Sequence, residues 1–301
     1  MQEAIVDVRD LSRVFGHKSA LDSVSFRATV GQVYGLVGAN GAGKTTLIKH
    51  LLGLLRAQTG SVRVFGLDPV RDPVGVLGRI GFLSEDRELP EWMRIDELLR
   101  YTQAFHRTWD ARYAEELLQT FGLDPSKRIK DLSKGMRAQA GLIAAVAHRP
   151  ELLILDEPSS GLDAVVRRDI LDAIVRTVAD DGRTVIFSSH LLEEVERMSD
   201  HVTMINQGRI TLSGPLDEAR RGYRRSRVHF VQHFETSPAL DGALAMEGGG
   251  RTWSVIHDSP TEEFRAAVVA LGGEVVETRD ATLEEIFLAR AGRKHRPAEA
   301  A

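Results

Sequence analysis

The 301-residue chain contains no cysteine, which excludes disulfide bonds and suits a reducing compartment such as the cytosol. A surplus of basic residues is also missing, because the formal net charge is −4 and the isoelectric point is about 6.2. Proteins that bind nucleic acid ordinarily present a basic surface. The composition therefore argues against a nucleic-acid partner.

Long apolar runs are absent as well. The longest run of small or apolar residues covers 140–147, whereas a membrane-spanning helix needs roughly 18 residues or more. The first residues lead directly into a strand predicted over 4–8, with no basic and apolar leader. The sequence predicts a soluble protein, and any membrane channel that it serves must come from another polypeptide.

A phosphate-binding loop is present. The pattern Gly-x-x-x-x-Gly-Lys-Thr is formed by Gly38, Ala39, Asn40, Gly41, Ala42, Gly43, Lys44 and Thr45, with Thr46 following. A strand is predicted before the loop over 33–37 and a helix after it over 47–52, as the motif requires. Glycines let successive N–H groups point inward at phosphate oxygens, and the helix N-terminus adds to the attraction. Lys44 is expected to reach the β- and γ-phosphates, and the Thr45 hydroxyl to bind Mg²⁺. The alternative, a plain glycine-rich turn, does not explain the agreement of motif and flanks.

A second segment places two acids at the end of an apolar strand. Residues 152–155 are apolar, and Asp156 and Glu157 follow them, as in a parallel strand whose carboxyl end faces a nucleotide. We predict that Asp156 holds Mg²⁺ through water and that Glu157 polarises the water that attacks the γ-phosphate. Alone, such a run is also compatible with a helix cap or a solvated turn.

Further segments favour the nucleotide site. Leu132-Ser133-Lys134-Gly135-Met136 opens a helix of small residues over 138–147, Ser159-Ser160-Gly161-Leu162-Asp163 follows the acidic pair, and a strand over 184–187 leads into Ser188-Ser189-His190. This order of phosphate loop, signature, Asp-Glu strand, D-loop and switch histidine resembles the nucleotide-binding subunit of ABC transporters over residues 1 to about 222. The resemblance implies an α/β P-loop NTPase fold with a parallel-sheet core, an antiparallel β layer and a helical subdomain.

In this family two such domains close head to tail on two ATP molecules, so one set of motifs implies a half-site. By resemblance, residues 38–46 bind the triphosphate in cis, while Ser133 and the Gly135 backbone contact the γ-phosphate of the ATP held by the partner. Asp163 corresponds to the D-loop aspartate that crosses the dimer interface. Without the family, Ser133 and Asp163 are ordinary helix N-caps, and Asp163 can serve as both.

Two ring side chains complete the implied site. His190 matches the switch histidine, which contacts the γ-phosphate and links it to Glu157 and to the partner's D-loop; the alternative is an ordinary surface histidine. Its place after a strand favours a functional role, since ligands bind at the carboxyl ends of such strands. Phe15 matches the aromatic residue that stacks on adenine, with a core phenylalanine as the alternative.

The chain departs from the family pattern in two places. The signature usually reads Leu-Ser-Gly-Gly-Gln, but Lys134 replaces the first glycine and Met136 the glutamine, so a ribose contact from Met136 is not expected. In the Q-loop, which joins the core to the helical subdomain, Glu85 stands where the family normally carries a glutamine that touches Mg²⁺. We interpret Glu85 as a subfamily trait and a metal ligand.

The sequence predicts a nucleotide-binding domain over 1–222 and an accessory domain over 223–301. Short strands and glycine turns in the first 36 residues indicate an antiparallel layer. A helical subdomain over about 86–150 is indicated by apolar periodicity at 94–105 and 111–121. In the family, this subdomain and the Q-loop form a groove for a coupling helix of the membrane subunit.

A hairpin over 202–212 is followed by a polar helix and a charge run over 220–227. We interpret the charge run as a solvated linker, with contact to anionic lipid head groups as the alternative. Beyond it, an α+β appendage is predicted, with a glycine turn at 248–250 between two strands. Its ending, 281–288, is similar to the C-terminal segment of bacterial drug, peptide-antibiotic and sodium-export ATPases.

We therefore predict the ATP-hydrolysing subunit of a bacterial-type ABC exporter, peripheral on the cytoplasmic face of the cell membrane. It would use ATP and Mg²⁺, pair as a homodimer or heterodimer of ATPase subunits, and drive a separate transmembrane permease. The rival is a soluble ABC ATPase that acts as a clamp, but the coiled-coil or zinc insertions of repair ATPases and the second cassette of ribosome factors are missing. A nucleotide sensor that does not hydrolyse ATP would lack Glu157 or His190, and both are present.

Overall fold

The computed structural model describes residues 4–86 and 88–292, apart from the side chains at 176–181 and 291–292. The described residues fall into two compact units, which divide between Leu212 and Ser213. The predicted domain boundary after Gly222 lies beyond this division, and an accessory role for 223–301 stays a prediction. Among the described residues, every helix is too short or too polar to cross a membrane.

The elements follow one another in a mixed α/β order. The strands are β1 (Ala4–Phe15), β2 (Lys18–Thr29), β3 (Val33–Val37), β4 (Thr59–Val64), β5 (Ile80–Leu83), β6 (Leu152–Asp156), β7 (Thr184–Ser189), β8 (His201–Asn206), β9 (Arg209–Pro215), β10 (Arg224–Phe234), β11 (Ala243–His257) and β12 (Gly273–Asp280). The helices are α1 (Lys44–Leu51), α2 (Pro73–Leu77), α3 (Ile95–Gln103), α4 (Ala111–Thr120), α5 (Lys134–Val146), α6 (Ala164–Asp181), α7 (Leu192–Met198), α8 (Leu216–Arg220), α9 (Thr261–Ala270) and α10 (Leu283–Gly292).

A six-stranded sheet in the order β5-β6-β7-β3-β8-β9 forms the centre of the first unit. Strands β5, β6, β7, β3 and β8 pair in parallel, and β3, β6 and β7 are buried along their whole length. Burial on both faces explains their continuous apolar sequence. The register places Val37 opposite Ser189 and Asp156 opposite Ser188, so the segments that follow these three strands meet at one edge of the sheet.

The predicted antiparallel layer is confirmed as the three-stranded sheet β2-β1-β4. Helix α1 contacts β2 and β4 of this layer and β6 of the central sheet. Its buried residues Leu47, Ile48 and Leu51 share one apolar core with side chains from both sheets. Since α1 begins at Lys44, directly after the glycine loop, this core holds the loop in place.

Helices α3, α4 and α5 come between β5 and β6 in the chain, and α3 and α4 agree closely with the predicted helices. Helix α5 starts at Lys134, as an N-cap at Ser133 predicts, because the Ser133 hydroxyl accepts a hydrogen bond from the Met136 N–H at 3.2 Å. Small residues let α5 approach β5 closely. A Cβ at Gly141 would lie 2.8 Å from a Leu83 methyl carbon, and one at Gly81 would collide with the Ala145 carbonyl oxygen.

The second unit contains the antiparallel sheet β11-β10-β12. Helix α10 packs on β11 and α9 on β12. A core that includes Phe230, Trp253 and Phe264 joins α9 to the sheet. The predicted glycine turn at 248–250 is wrong, because β11 runs through it. Gly248 and Gly250 have φ of 143° and 64°, conformations that disturb a strand and mark an irregularity without ending it.

The charge run is not a solvated linker throughout, since β10 begins at Arg224. Arg224 pairs with Asp280, Arg225 with Glu285, and Arg227 with Glu277 at 3.5 Å. Burial raises the pKa of Glu285, but its bonds to Arg279, the Thr282 N–H and Arg225 outweigh this and hold the pKa at about 2. These arginines help to join the strands of the unit, and contact with anionic lipid stays a prediction.

Candidate functional site

The glycine loop requires glycine at two positions for different reasons. A Cβ at Gly38 would collide with the Ile205 carbonyl oxygen of the neighbouring strand. Gly43 caps α1 in a left-handed conformation with φ of 119°, and a Cβ there would lie 2.7 Å from the Ala20 carbonyl oxygen. The loop is therefore packed tightly against β2 and β8 while the N-terminus of α1 opens beside it.

Lys44, the first residue of α1, is buried with its ammonium turned back across the loop. Its Nζ donates to the Gly38 carbonyl oxygen at 2.6 Å and lies 2.9 Å from Glu157 Oε1. Both side chains are buried. The loop lysine and the acid at the end of β6 thus form a buried ion pair, in which each charge compensates the desolvation of the other.

Glu157 also holds the predicted switch histidine. His190 Nδ1 lies 2.7 Å from Glu157 Oε2, and the His190 backbone N–H donates to the same oxygen at 3.3 Å. Burial acts to raise the pKa of Glu157, but the bonds to Lys44 and His190 together lower it below the ordinary value. An ionised carboxylate accepts hydrogen bonds, so Nδ1 of His190 carries a proton in this arrangement.

The backbone of Glu157 is strained. Its φ is 48°, a left-handed conformation that costs a residue with a side chain roughly 1–3 kcal/mol. This turn at the end of β6 directs the carboxylate between Lys44 and His190. Such strain persists only where the surroundings impose it.

Sequence reasoning missed the role of Ser188. Its buried hydroxyl donates to Asp156 Oδ1 at 2.6 Å and accepts from the Glu157 backbone N–H at 2.9 Å. It orients both members of the acidic pair. The available signal was the pair of adjacent serines that ends this strand.

A cleft of about 440 Å³ runs beside the loop. It is lined by Phe15, Lys18, Ala20, residues 39–46, Glu85 and Glu157. Phe15 is 45% exposed, which excludes the core-phenylalanine alternative. Lys18, opposite Phe15 in the β1–β2 pairing, brings a cation to the cleft that sequence reasoning did not single out.

A second cavity, of about 560 Å³, adjoins the loop between α1 and β5. Thr45, Glu85 and Asp156 line it, and Thr45 and Glu85 line the first cleft as well. In the part of the chain that the structure describes, no group of three or more His, Asp or Glu is placed to hold a metal alone. Mg²⁺ does not need one, because it is usually bound by one or two carboxylates, waters and substrate phosphates. The hydroxyl and two carboxylates present fit that donor set.

Three residues are expected to serve the partner's site, and none of them lines either cavity. Ser133 caps α5, and Gly135 packs against Val166, where a Cβ would lie 3.1 Å from its methyl carbons. Asp163 Oδ1 accepts from the Val165 and Val166 N–H groups at 3.0 Å each, so the N-cap interpretation holds for Asp163 too. None of the three is among the residues that line the 440 Å³ cleft.

Comparison with known proteins agrees with this geometry. A family model described as ABC transporter matches residues 21–160. The daunorubicin resistance ATP-binding protein DrrA3 of Streptomyces coeruleorubidus is 32% identical, with 100% of both chains covered. The bacitracin transport ATP-binding protein BcrA of Bacillus licheniformis is 31% identical over 73% of each chain. A solved ATP-binding subunit of an ABC transporter is 30% identical, with a TM-score of 0.67 over 72% of this chain and 92% of that one.

A full-length relative above 30% identity and a matching fold carry the same conclusion as the loop, the acidic pair and the histidine. The chain belongs to the ABC transporter family, as an ATP-binding subunit whose hydrolysis of ATP is coupled to transport.

Proposed function

We propose that this subunit powers an exporter, and that Glu157 is the general base of its ATPase site. The observation that carries the assignment of Glu157 is the convergence of Lys44 and His190 on opposite oxygens of one buried, ionised carboxylate, at 2.9 and 2.7 Å. These groups come from three separate segments at one edge of the sheet. Ligands of open parallel sheets bind at that edge.

The proposed chemistry follows from these contacts. Residues 38–46 present backbone N–H groups to the phosphates, and Lys44 moves from Glu157 to the β- and γ-phosphates when ATP binds. Glu157 is then available to take the proton of the attacking water, while His190 holds the γ-phosphate. Phe15 stacks on adenine, since its exposed ring lies in the same cleft as the loop. The roles of these residues are testable one by one.

We propose that Thr45, Asp156 and Glu85 hold Mg²⁺, the first two as in related P-loop enzymes. Held there, the ion would supply positive charge that neutralises the charge developing on the phosphates. Ser188 keeps one oxygen of Asp156 engaged at 2.6 Å, which fixes the direction of the other. Glu85 faces both cavities and can reach the metal from the Q-loop side.

Changing Glu85 to Gln should raise the Mg²⁺ concentration for half-maximal ATPase activity, because a ligand charge is lost. The maximal rate should stay within about tenfold, a barrier change of about 1.4 kcal/mol or less. Steady-state ATPase assays across a Mg²⁺ titration measure both quantities. A maximal rate as low as that of Glu157→Gln at saturating Mg²⁺ would move Glu85 to the chemical step itself.

The catalytic assembly is proposed to be a dimer of ATPase subunits that closes on ATP. Ser133, Gly135 and Asp163 lie outside the cleft of their own chain, so their phosphate and interface contacts require a second cassette. The Ser133 hydroxyl and the N-terminus of α5 form an anion-binding pair suited to a γ-phosphate. Lys134 lies directly over Gly161, where a Cβ would collide with its ammonium, so the signature contacts its own D-loop segment.

A separate membrane subunit is proposed to dock at the 560 Å³ cavity on the cytoplasmic side of the membrane. The apolar side chains of Leu54, Phe82 and Leu98 line the cavity. Leu98 belongs to α3, and two exposed aromatic residues lie in this helix (Tyr101) and just after it (Phe105). The names of DrrA3 and BcrA, with resistance to one antibiotic and transport of another, support export as the direction.

Capture of the tagged full chain from detergent-solubilised membranes tests this function. An integral membrane protein should co-purify and stimulate ATP hydrolysis, and Leu54→Asp should abolish the capture. Val74→Asp is the matched control, because Leu54 and Val74 are both exposed, at 62% and 84%, and Val74 does not line the cavity. Equal loss in both variants, or capture of soluble proteins alone, would contradict the docking proposal.

A further inference from the structure

We infer that Glu194 is a positioning residue for ATP hydrolysis, whose buried carboxylate ties the segment after β6 to the segment after β7. Through these two attachments it sets the position of Glu157 relative to His190. The inference rests on the proposed function, in which that pair performs the chemistry.

The contacts of Glu194 are specific. The side chain projects from α7 and the residue is 6% exposed. Its Oε2 accepts hydrogen bonds from the Ser159 and Ser189 hydroxyls, each at 2.8 Å. Its other oxygen, Oε1, lies 3.7 Å from Arg167 Nε of α6. One carboxylate oxygen therefore joins two loops that are separate in the chain, and a cation balances the charge.

The two attached serines flank the reactive pair. Ser159 is two residues after Glu157, and Ser189 immediately precedes His190. On the other side, Glu157 and His190 meet at 2.7 Å. The strained φ of Glu157 needs surroundings that impose it. The hydrogen bonds of Glu194 to Ser159 and Ser189 supply such a constraint, because they hold the segment that follows Glu157.

Packing alone does not explain a glutamate at this position. A buried carboxylate is costly, and an apolar side chain would fill the space at lower cost. What an apolar residue lacks is an acceptor for two buried hydroxyls, which lose their partner when the acceptor is removed. Glu194 does not line either cavity beside the loop, so it acts through Glu157 and His190 and not on ATP.

The test compares Glu194→Ala and Glu194→Gln in the full chain, with Glu193→Gln as the matched control. Glu193 is exposed on the same helix and loses the same charge. Glu194→Ala should lower kcat by about 10- to 100-fold, since a displacement of about 1 Å costs up to that much. The KM for ATP and the binding of a non-hydrolysable ATP analogue should change less than about threefold, because the phosphate loop is untouched.

Rescue separates positioning from general stability. The glutamine carbonyl oxygen can accept from both serines, so Glu194→Gln should recover kcat to within about fivefold of wild type. If Glu194→Ala does not fold, Ser159→Ala and Ser189→Ala each remove one donor, and each should lower kcat without raising KM. A kcat for the alanine variants equal to that of Glu193→Gln, or a loss confined to KM, would overturn the inference.

Failure of the proposed function has a different signature. Wild type and Glu157→Gln are assayed in parallel. If wild type hydrolyses no more ATP than Glu157→Gln, the assignment of the base is wrong and Glu194 has nothing to position. If those two differ and Glu194→Ala matches wild type, only the Glu194 inference fails.

Discussion

Replacing Glu157 with Gln should lower the ATPase rate at least about a hundredfold, the range expected when a positioned general base is removed. The substitution keeps the shape of the side chain and its hydrogen bond with His190. It removes the negative charge that takes the proton from water. It also removes the charge that holds Lys44 away from the phosphates, at 2.9 Å in this structure. ATP binding should therefore be retained or strengthened while hydrolysis stops.

Because ATP then persists in the site, Glu157→Gln should accumulate as a closed dimer with ATP and Mg²⁺. Static light scattering with and without nucleotide measures this directly. Glu116→Gln is a suitable control, since the Glu116 side chain pairs with Arg112 at the exposed surface of α4. An unchanged monomer at saturating ATP would count against the half-site model, and a rate within tenfold of wild type would remove Glu157 as the base.

Replacing Lys44 with Met should lower the free energy of unfolding by about 3 kcal/mol at pH 7, besides weakening the hold on the phosphates. Removing one member of a buried ion pair leaves the other charge uncompensated, which typically costs 3–5 kcal/mol. We expect the lower end because His190 still contacts the Glu157 carboxylate. The double variant Lys44→Met/Glu157→Gln should regain at least half of the loss, since it leaves neither charge buried alone.

The pH dependence distinguishes this electrostatic cause from lost packing. In wild type the folded-state pKa of Glu157 lies below the ordinary 4.5, so its contribution to stability is present above that value and is lost as pH falls through the lowered pKa. In Lys44→Met burial should prevail and raise the pKa, so that protonation relieves the variant as pH falls. Urea unfolding at pH 7 and pH 5 should show a smaller deficit at pH 5. An equal deficit at both, with no recovery in the double variant, would indicate packing instead.

Local sequence patterns were sufficient to predict the elements that depend on only a few neighbouring residues. The glycine loop, the apolar strand before Glu157, and the hairpin of β8 and β9 all lie where the sequence places them. The hairpin turn shows why: Gln207 and Gly208 both have positive φ, which a two-residue turn demands and which glycine adopts readily. The prediction failed where the same residue type, glycine, occurs both in turns and in irregular strands. Gly248 and Gly250 suggested a turn, yet the pairing of β10 and β11 carried the strand through them.

The sequence alone predicted the family and the fold class and proposed Lys44, Asp156, Glu157 and His190 as the reactive set, because each ends or follows a strand or opens a helix within a recognisable motif. Which of these residues are in contact depends on the tertiary structure. The parallel register of β6 and β7 placed Ser188 beside Asp156, the strained turn at Glu157 joined Lys44 to His190, and the burial of α7 brought Glu194 to Ser159. These contacts join residues far apart in the chain. They depend on how the strands and helices pack, which local sequence periodicity does not encode.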